Sequence, residues 1–272
     1  GFRPKNSTLS ALIQMCDAWH ASMDCGDVSA VVFLDIRKAF DSINHNILLR
    51  KMEEQFGVSN VELKWFASYI SNREQTCFVN GTMSIPKKIV CGVPQGSILG
   101  PLLFLLYIND LPDSLHDTIP CLYADDTQIF TSAKDSGELT SNLNSDLNNI
   151  NHWLISNKLQ HHSSKTKLMY VASKHNLSKI NDDIPVMLNG QPIPRIHSIP
   201  CLGVTLDETL SWEEHIEAIC KKVGAGIGML KRIKPFVPAQ MLQPIYNALI
   251  QPYFDYCSPL WDTCKKALKD KL

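Results

Sequence analysis

The sequence predicts an α+β fold in which a mixed body is followed by a helical C-terminal segment. Short β-branched and aromatic runs alternate with helix-periodic stretches over residues 1–207, and helical periodicity dominates residues 208–272. A chain of 272 residues can bury a substantial core, and its 44% hydrophobic and 19% charged content is typical of soluble globular proteins. We therefore expect a body at 1–207 and a helical segment at 208–272.

Local patterns assign an element to most parts of the chain. Helices are expected where apolar residues recur every three or four positions, strands where β-branched residues cluster, and tight hairpins at Asn-Gly pairs. In chain order, the prediction is a helix after Ser7-Thr8, a strand at 31–34, a helix at 43–56, a helix opened by a capping box at 59–62, a hairpin at 80–81, a helix at 101–107, a hairpin over 119–130, a helix at 139–154, strands at 167–172, 186–188 and near 201–206, a helix capped at 211–214 that runs to 230, and a helix from 238 toward 252.

The net charge of -1 hides an asymmetry along the chain. Residues 1–220 carry 17 Lys/Arg and 24 Asp/Glu, whereas residues 221–272 carry 9 Lys/Arg and 3 Asp/Glu. A basic terminal segment on an acidic body suits an arm that binds phosphate while the body binds metal. An ordinary solvated helix face explains the same charges, and both interpretations stay open.

Cysteine usage and hydropathy bound the location of the protein. The 9 cysteines include no C-x-x-C pair, which supports neither a zinc module nor a disulfide framework. A reducing compartment is the simpler interpretation, so we expect an intracellular location in the cytoplasm, the nucleus or both. The longest apolar stretch, Ile98 to Ile108, is too short to span a membrane, and we expect no membrane partner. The oligomeric state is left open.

Acidic residues occur at the ends of two predicted strands. Asp125 and Asp126 lie at the tip of the 119–130 hairpin, where a solvated turn explains them by themselves. Asp35 ends the strand at 31–34, where an N-cap role is the simpler interpretation. If neighbouring strands bring the three carboxylates together, their repulsion requires cations. Two metals about 3.5–4 Å apart would then catalyse an in-line phosphate displacement.

A glycine- and proline-rich loop runs from Gly92 to Pro101 and contains Gln95 and Gly96. Its glycines allow a base or another backbone to come close, and the helix that follows offers free backbone N–H groups. An ordinary strand-to-helix loop has the same composition, so this segment does not decide the function by itself.

Taken in order, these segments resemble the motifs of reverse transcriptases, with the closest likeness to non-LTR (LINE-type) retrotransposon enzymes. The resemblance covers essentially the whole chain and implies a polymerase palm, an antiparallel sheet backed by helices with the Asp125–Asp126 hairpin at its centre, together with partial fingers and the start of a helical thumb. The matching segments are Gly1–Pro4, Leu34–Asp41 with His45, Val93–Ser97, Leu105–Leu111, Tyr123–Asp126, Ser164–Thr166, Cys201–Val204 and Pro252–Tyr256.

The resemblance implies RNA-directed DNA polymerase activity and a role for each matching residue. Asp35, Asp125 and Asp126 would bind two Mg²⁺ ions, or Mn²⁺, with the Ile36 carbonyl as an extra ligand. Phe40 would be the steric gate that excludes a ribose 2′-OH.

Further residues of the resemblance would contact the substrates, which are an RNA template, a DNA primer and dNTPs. Gln95 and Gly96 would line the template and nucleotide pocket. Lys165 would assist the leaving pyrophosphate, although a solvated lysine is an equal interpretation. Leu202 and Gly203 would form the primer grip. The implied phosphate contacts of the thumb are Lys221, Lys222, Lys231, Arg232 and Lys234.

Parts of the family pattern are absent from this sequence. The upstream finger motifs that hold the triphosphate would precede residue 1, and the endonuclease of non-LTR elements is not seen. We therefore expect a piece of a longer protein that, in isolation, binds RNA or a hybrid in a salt-dependent way and incorporates no dNTP, although every visible catalytic residue is intact. Three alternatives stay open: a non-catalytic nucleic-acid-binding relic, a group II intron or retron enzyme, and an unrelated metal phosphatase or nuclease.

Overall fold

The computed structural model describes residues 1–180 and 185–272. The helices are α1 (Thr8–Asp24), α2 (His45–Glu54), α3 (Asn60–Ile70), α4 (Leu99–Ile108), α5 (Ser136–Ser156), α6 (Lys174–Leu177), α7 (Glu213–Ile233), α8 (Ala239–Leu249), α9 (Gln251–Asp255), α10 (Ser258–Trp261) and α11 (Lys266–Lys269). The strands are β1 (Val28–Asp35), β2 (Glu74–Gln75), β3 (Phe78–Val79), β4 (Thr82–Met83), β5 (Lys87–Lys88), β6 (Ile119–Tyr123), β7 (Asp126–Ala133), β8 (Lys167–Val171), β9 (Met187–Leu188), β10 (Gln191–Pro192), β11 (Ser198–Cys201) and β12 (Val204–Asp207).

Four strands form the central antiparallel sheet in the order β6-β7-β1-β8. The predicted antiparallel sheet backed by helices is confirmed. We expected the hairpin made by β6 and β7 to lie at the centre of the sheet. It does not, because β6 is the edge strand and only β7 is internal.

Alternate side chains of β1 enter two different cores, as the two-residue period of a strand requires. Ala30, Val32 and Leu34 pack in the core on one face of the sheet, with apolar residues of α2, α4 and α5. Val31 and Phe33 pack in the core on the other face, with α1, β12 and the helices after residue 212. Coverage of both faces explains why β1 is a continuous apolar run.

The C-terminal helices share the second core with the body. Leu12 and Trp19 of α1 lie in the same cluster as Trp212, Leu260 and Trp261. Removing apolar surface from water stabilises a fold by about 25 cal/mol per Å², so these contacts favour association of the two segments. Packing therefore joins the two predicted segments, 1–207 and 208–272, and their division stays a prediction.

Two carboxylates, the half-buried Asp110 and the buried Asp146, tie helices to one another and to the start of β6. Asp110, after α4, accepts hydrogen bonds from Lys51 Nζ at 2.6 Å and Trp153 Nε1 at 3.0 Å, which joins α2 and α5. Asp146 of α5 accepts from the backbone N–H of Thr118 at 2.8 Å and of Asp117 at 2.9 Å, just before β6. Asp146 thus holds the entry of the β6–β7 hairpin.

Several predicted boundaries differ from the structure. Ser59 precedes α3 but makes no side-chain capping hydrogen bond, so the predicted capping box is wrong. The segment near 201–206 is a hairpin, β11–β12, rather than one strand. The residue that organises the start of α7 is Asp207, which accepts from the backbone N–H groups of Thr209, Ser211 and Trp212.

The predicted hairpin at Asn80-Gly81 is confirmed, with φ of 49° and 79° at the two residues, as a type I′ turn requires. The paired segments β2–β5 and β3–β4 around it are exposed. Within residues 1–180 and 185–272, no helix is long and apolar enough to cross a membrane.

Candidate active site

The pairing of β1 and β7 brings two of the three predicted aspartates together. Asp35 is the last residue of β1 and Asp126 the first of β7, and their Cα atoms are direct partners in the antiparallel register. Asp125 precedes Asp126 in the tight turn, where Ala124 adopts a φ of 56°. Residues far apart in the chain therefore meet at one tip of the sheet because the ladder is in register along all of β1.

Burial and mutual repulsion disfavour negative charge at this tip. Burial raises the pKa of the Asp126 carboxyl, and the neighbouring Asp125 and Asp35 carboxylates raise it further. A bound cation would reverse both effects, and carboxylate oxygens are ligands that Mg²⁺ prefers. Among the described residues, no three His, Cys, Asp or Glu side chains are grouped so as to hold a metal ion by themselves.

A cleft of about 730 Å³ opens beside the aspartates, and we call it the main cleft. It collects most of the residues predicted to be catalytic or to bind the nucleotide, from four separate parts of the chain. Its lining includes Asp35, Ile36, Phe40, Gln95, Gly96, Asp125 and Lys165. Asp126 lies outside this lining and borders a smaller cavity of about 190 Å³, which Asp35 and Lys165 also border.

The ring of Phe40 is held in place by an aromatic neighbour. It stacks on Phe104 of α4 with ring centroids 4.6 Å apart and an interplanar angle of 25°. Phe40 also lines the main cleft and is half-buried. Core packing and a steric role at the cleft are therefore compatible, since the stacking fixes the edge that the ring presents to the cleft.

The loop that carries Gln95 is fastened to the segment after β1. Gln95 Nε2 donates a hydrogen bond to Asp41 Oδ1 at 2.8 Å, and the Gly92 N–H donates to the Ile43 carbonyl at 2.7 Å. Gly92 has a φ of 87°, and a Cβ there would lie 2.8 Å from the Asp41 carbonyl oxygen. Only glycine permits this approach, which sets the position of Gln95 relative to Phe40.

Lys165 places its charge beside the first aspartate. Its Nζ lies 3.5 Å from Asp35 Oδ2, and its side chain is 62% exposed. The Lys165 backbone N–H donates to the His162 carbonyl at 3.0 Å, and the His162 N–H donates to the Asp35 carbonyl at 2.8 Å. The loop before β8 is thus tied to the end of β1, which positions the lysine.

The main cleft is also lined by Arg37, Lys38 and His162, three nitrogen-bearing side chains to which the sequence assigned no role. Arg37 and Lys38 follow Asp35 directly, so their place in the chain was a usable signal. His162 had no such signal, because it reaches the cleft through the pairing of His161 with Ile36, which is a long-range contact.

Leu202 and Gly203 form the turn between β11 and β12, with φ of 46° and 83°. Leu202 borders the smaller cavity with Asp126, so the structure places this turn near the aspartates. The five basic residues predicted for the thumb are all exposed and lie on α7 or directly after it. In the part of the chain that the structure describes, none of the five lines the main cleft.

Comparison with known proteins agrees with the resemblance in the sequence. The RNA-directed DNA polymerase from the mobile element jockey of Drosophila melanogaster is 30% identical over 100% of this chain and 30% of its own length. The probable RNA-directed DNA polymerase from transposon BS of the same fly is 26% identical over 98% of this chain and 30% of its own length. The chain thus spans 30% of the length of these curated relatives, which are non-LTR retrotransposon proteins.

Solved structures show the same fold at low identity. Apo telomerase from Candida tropicalis, truncated from its C-terminal domain, has a TM-score of 0.51 and 14% identity and covers 74% of this chain and 39% of its own. The same telomerase with a TWJ fragment of telomeric RNA has a TM-score of 0.50 and 13% identity and covers 95% of this chain and 43% of its own.

The family described as "Reverse transcriptase (RNA-dependent DNA polymerase)" matches residues 1–206. This stretch contains the β1–β7 register pair, the Gln95 loop and the loop that carries Lys165. The chain therefore belongs to the reverse transcriptase family.

Proposed function

We propose that this chain is the polymerase part of a non-LTR retrotransposon protein. It joins dNTPs to the 3′-OH of a DNA primer on an RNA template and releases pyrophosphate. The observation that carries the proposal is the register pairing of Asp35 with Asp126, with Asp125 adjacent, beside a cleft lined by Phe40 and Gln95. The telomerase relative in complex with telomeric RNA supports an RNA partner.

The register pair of Asp35 and Asp126, with Asp125 adjacent, supports a divalent-metal site that a bound cation would complete, and reverse transcriptases generally use divalent metal ions. Asp35, Asp125 and Asp126 would hold two Mg²⁺ or Mn²⁺ ions, with the Ile36 carbonyl as a further ligand. When bound, the metals activate the attacking hydroxyl and stabilise the leaving phosphate. The raised pKa of Asp126 is support, since this carboxyl gains most from a nearby cation.

Residues of the main cleft select and orient the nucleotide. The ring of Phe40, fixed by Phe104, excludes a ribose 2′-OH and favours deoxynucleotides. Gln95, held by Asp41, and Gly96, with a φ of 78° and no atom near its missing Cβ, leave space for the templating base and the nucleotide.

Basic residues of the same cleft neutralise the triphosphate. Lys165 leaves Asp35 and places its ammonium group against the leaving pyrophosphate, which its exposed side chain permits. Arg37 and Lys38 add positive charge to the same cleft. These residues supply part of the charge that the family's upstream finger motifs would also provide.

Outside the cleft, the Leu202-Gly203 turn contacts the primer, and the exposed cations of α7 contact the phosphates of the hybrid. Exposed lysine and arginine side chains position a duplex without reading its sequence. We further propose that the protein acts inside the cell, in the cytoplasm, the nucleus or both.

Primer extension on an RNA template with Mg²⁺ tests the proposal, on a polypeptide that also carries the family's upstream finger region. Asp125→Asn should lower the rate by at least about 100-fold, since even partners of metal ligands cost about 10–100-fold. Asp113→Asn is the matched control, because Asp113 is exposed and lies outside both cavities. Extension by Asp125→Asn at the parental rate would contradict the metal site. Hybrid binding without nucleotide incorporation by the parent would contradict the polymerase activity.

A further inference from the structure

Tyr256 reaches from the C-terminal helices to the turn of the β11–β12 hairpin. It follows α9, and its phenol Oη donates a hydrogen bond to the Leu202 carbonyl at 2.6 Å. The same Oη lies 3.0 Å from Thr8 Oγ1 at the start of α1. A phenol has one hydroxyl proton, so when Tyr256 donates it to the Leu202 carbonyl, the Thr8 hydroxyl donates to Tyr256 Oη. One side chain thus joins three separate parts of the chain.

The ring of Tyr256 also occupies the space beside Gly203. A Cβ at Gly203 would lie 3.0 Å from Tyr256 Cε1, and the φ of 83° there already favours glycine. Leu202 has a φ of 46°, which leucine rarely adopts. The phenol therefore binds the carbonyl of a strained residue and covers its neighbour, so the turn is held from one side.

The backbone of Tyr256 is held in place by hydrogen bonds at both its N–H and its carbonyl group. The Tyr256 N–H donates to the Pro252 carbonyl at 3.0 Å, and the Tyr256 carbonyl accepts from Trp261 Nε1 at 3.1 Å. The Trp261 side chain is buried in the second core. Burial raises the pKa of the Tyr256 phenol, so the group stays a donor at neutral pH.

The turn that Tyr256 holds faces the catalytic end of the sheet. Leu202 borders the smaller cavity together with Asp35, Asp126 and Lys165. The preceding residue is tied to β7, because Gln128 Nε2 lies 3.7 Å from Cys201 Sγ. A shift of the turn would therefore change the distance between its backbone and the aspartates.

We propose that Tyr256 is a positioning residue that fixes the Leu202-Gly203 turn beside the catalytic aspartates and so aligns the primer 3′-OH. The inference rests on the proposed function, because it assigns the primer end to this turn. The C-terminal segment would then help to align the primer 3′-OH, in addition to binding the phosphates of the hybrid.

Steady-state kinetics separate this role from simple packing. Tyr256→Phe keeps the ring and removes both hydrogen bonds, so kcat should fall about 5–30-fold, the value of one to two net hydrogen bonds. The KM for dNTP should stay within about twofold, because the nucleotide pocket is untouched. Tyr253→Phe is the matched control, since Tyr253 contacts Lys222 through its ring, with Nζ 5.5 Å from the centroid. Equal kcat values for the two variants, or a change confined to the KM for dNTP, would overturn the inference.

Hydrogen exchange on the primer–template complex without dNTP gives a second readout that needs no polymerisation. Hybrid binding should protect the Gly203 and Val204 amides in the parent and in Tyr253→Phe, and should lose that protection in Tyr256→Phe. Equal protection in Tyr256→Phe, or no protection in the parent, would overturn the positioning role. If the parent shows the protection but incorporates no nucleotide, the polymerase proposal fails while the alignment of the bound primer by Tyr256 stands.

Discussion

Lys51 provides a stringent test of the packing behind the sheet. It is 4% exposed, and its Nζ donates to Asp110 Oδ1 at 2.6 Å and to the Tyr107 carbonyl at 2.7 Å. The same Nζ lies 5.1 Å from the centroid of the Tyr107 ring and 4.9 Å from that of Trp153. The perturbation is Lys51→Met, which keeps most of the apolar stem and removes the charge and both hydrogen bonds.

The expected cost follows from the groups that the substitution leaves behind. Burial lowers the pKa of Lys51 although Asp110 opposes this, whereas the pKa of Asp110 is held below its usual range against burial by hydrogen bonds from Lys51 and Gln55. Without the lysine, the Asp110 carboxylate is partly uncompensated and the Tyr107 carbonyl loses a donor. Removing one partner of a buried pair costs about 3–5 kcal/mol of unfolding free energy. At about 2–4 °C per kcal/mol, Tm should fall by about 6–20 °C.

Arg50→Met is the matched control at the adjacent residue. Arg50 pairs with Glu54 at 3.9 Å, with both side chains more than 60% exposed, so its loss should cost about 0–1 kcal/mol. Urea unfolding followed by circular dichroism, with a thermal scan, measures both variants. A cost for Lys51→Met within about 1 kcal/mol of the control would refute the reasoning that the buried pair supports α2, α4 and α5.

Two further predictions concern Asp146, at the entry of the β6–β7 hairpin, and Phe40, the proposed steric gate. Burial alone would raise the pKa of the Asp146 carboxyl, but its hydrogen bonds, of which the one from the Thr118 side chain has the largest effect, hold that pKa below its usual range. The contribution of Asp146 to stability is therefore present in full above about pH 4 and is lost as the pH falls further. Asp146→Asn should therefore cost about 1–3 kcal/mol at pH 7 and flatten the loss of stability on acidification, which urea titrations at several pH values measure; an unchanged acid slope would contradict this. Phe40→Ala removes the ring stacked on Phe104 and should raise the ratio of ribonucleotide to deoxynucleotide kcat/KM by about 10–100-fold; an unchanged ratio would exclude the gate.

Local patterns predicted the elements that position the site. The β-branched run before Asp35 and the Asn80-Gly81 pair each carry a signal within a few residues, and both appear in the structure as a strand and a hairpin. Order along the chain identified the family, because the motifs recur in sequence whatever their contacts. The predicted roles of the site residues are still to be tested by the variants above.

Contacts between residues far apart in the chain could not be predicted from the sequence. A cap of α7 was expected at Ser211–Glu214, where Ser211 Oγ accepts from the Glu213 N–H at 3.4 Å. The sequence did not indicate that Asp207, at the end of β12, binds the backbone of the turn before the helix. Asp110 looked like a motif residue, and only packing shows that it pairs with Lys51 across two helices. His162 enters the main cleft through the long-range tie of the loop before β8 to the end of β1. Such pairings depend on tertiary geometry, which periodicity does not encode.

The opposition of Asp35 and Asp126 in one ladder has a consequence for how this site tolerates change. Because side chains alternate between the two faces of a strand, a single-residue insertion within β1 would reverse the faces of Val31 and Val32 and misplace Asp35 at once. An insertion that separates the two aspartates therefore also exposes core residues and destabilises the fold. Folded variants of this protein should therefore tolerate length changes in the hairpin around Asn80 but not in β1. The requirement that β1 fold in register thus also preserves the relative position of Asp35 and Asp126.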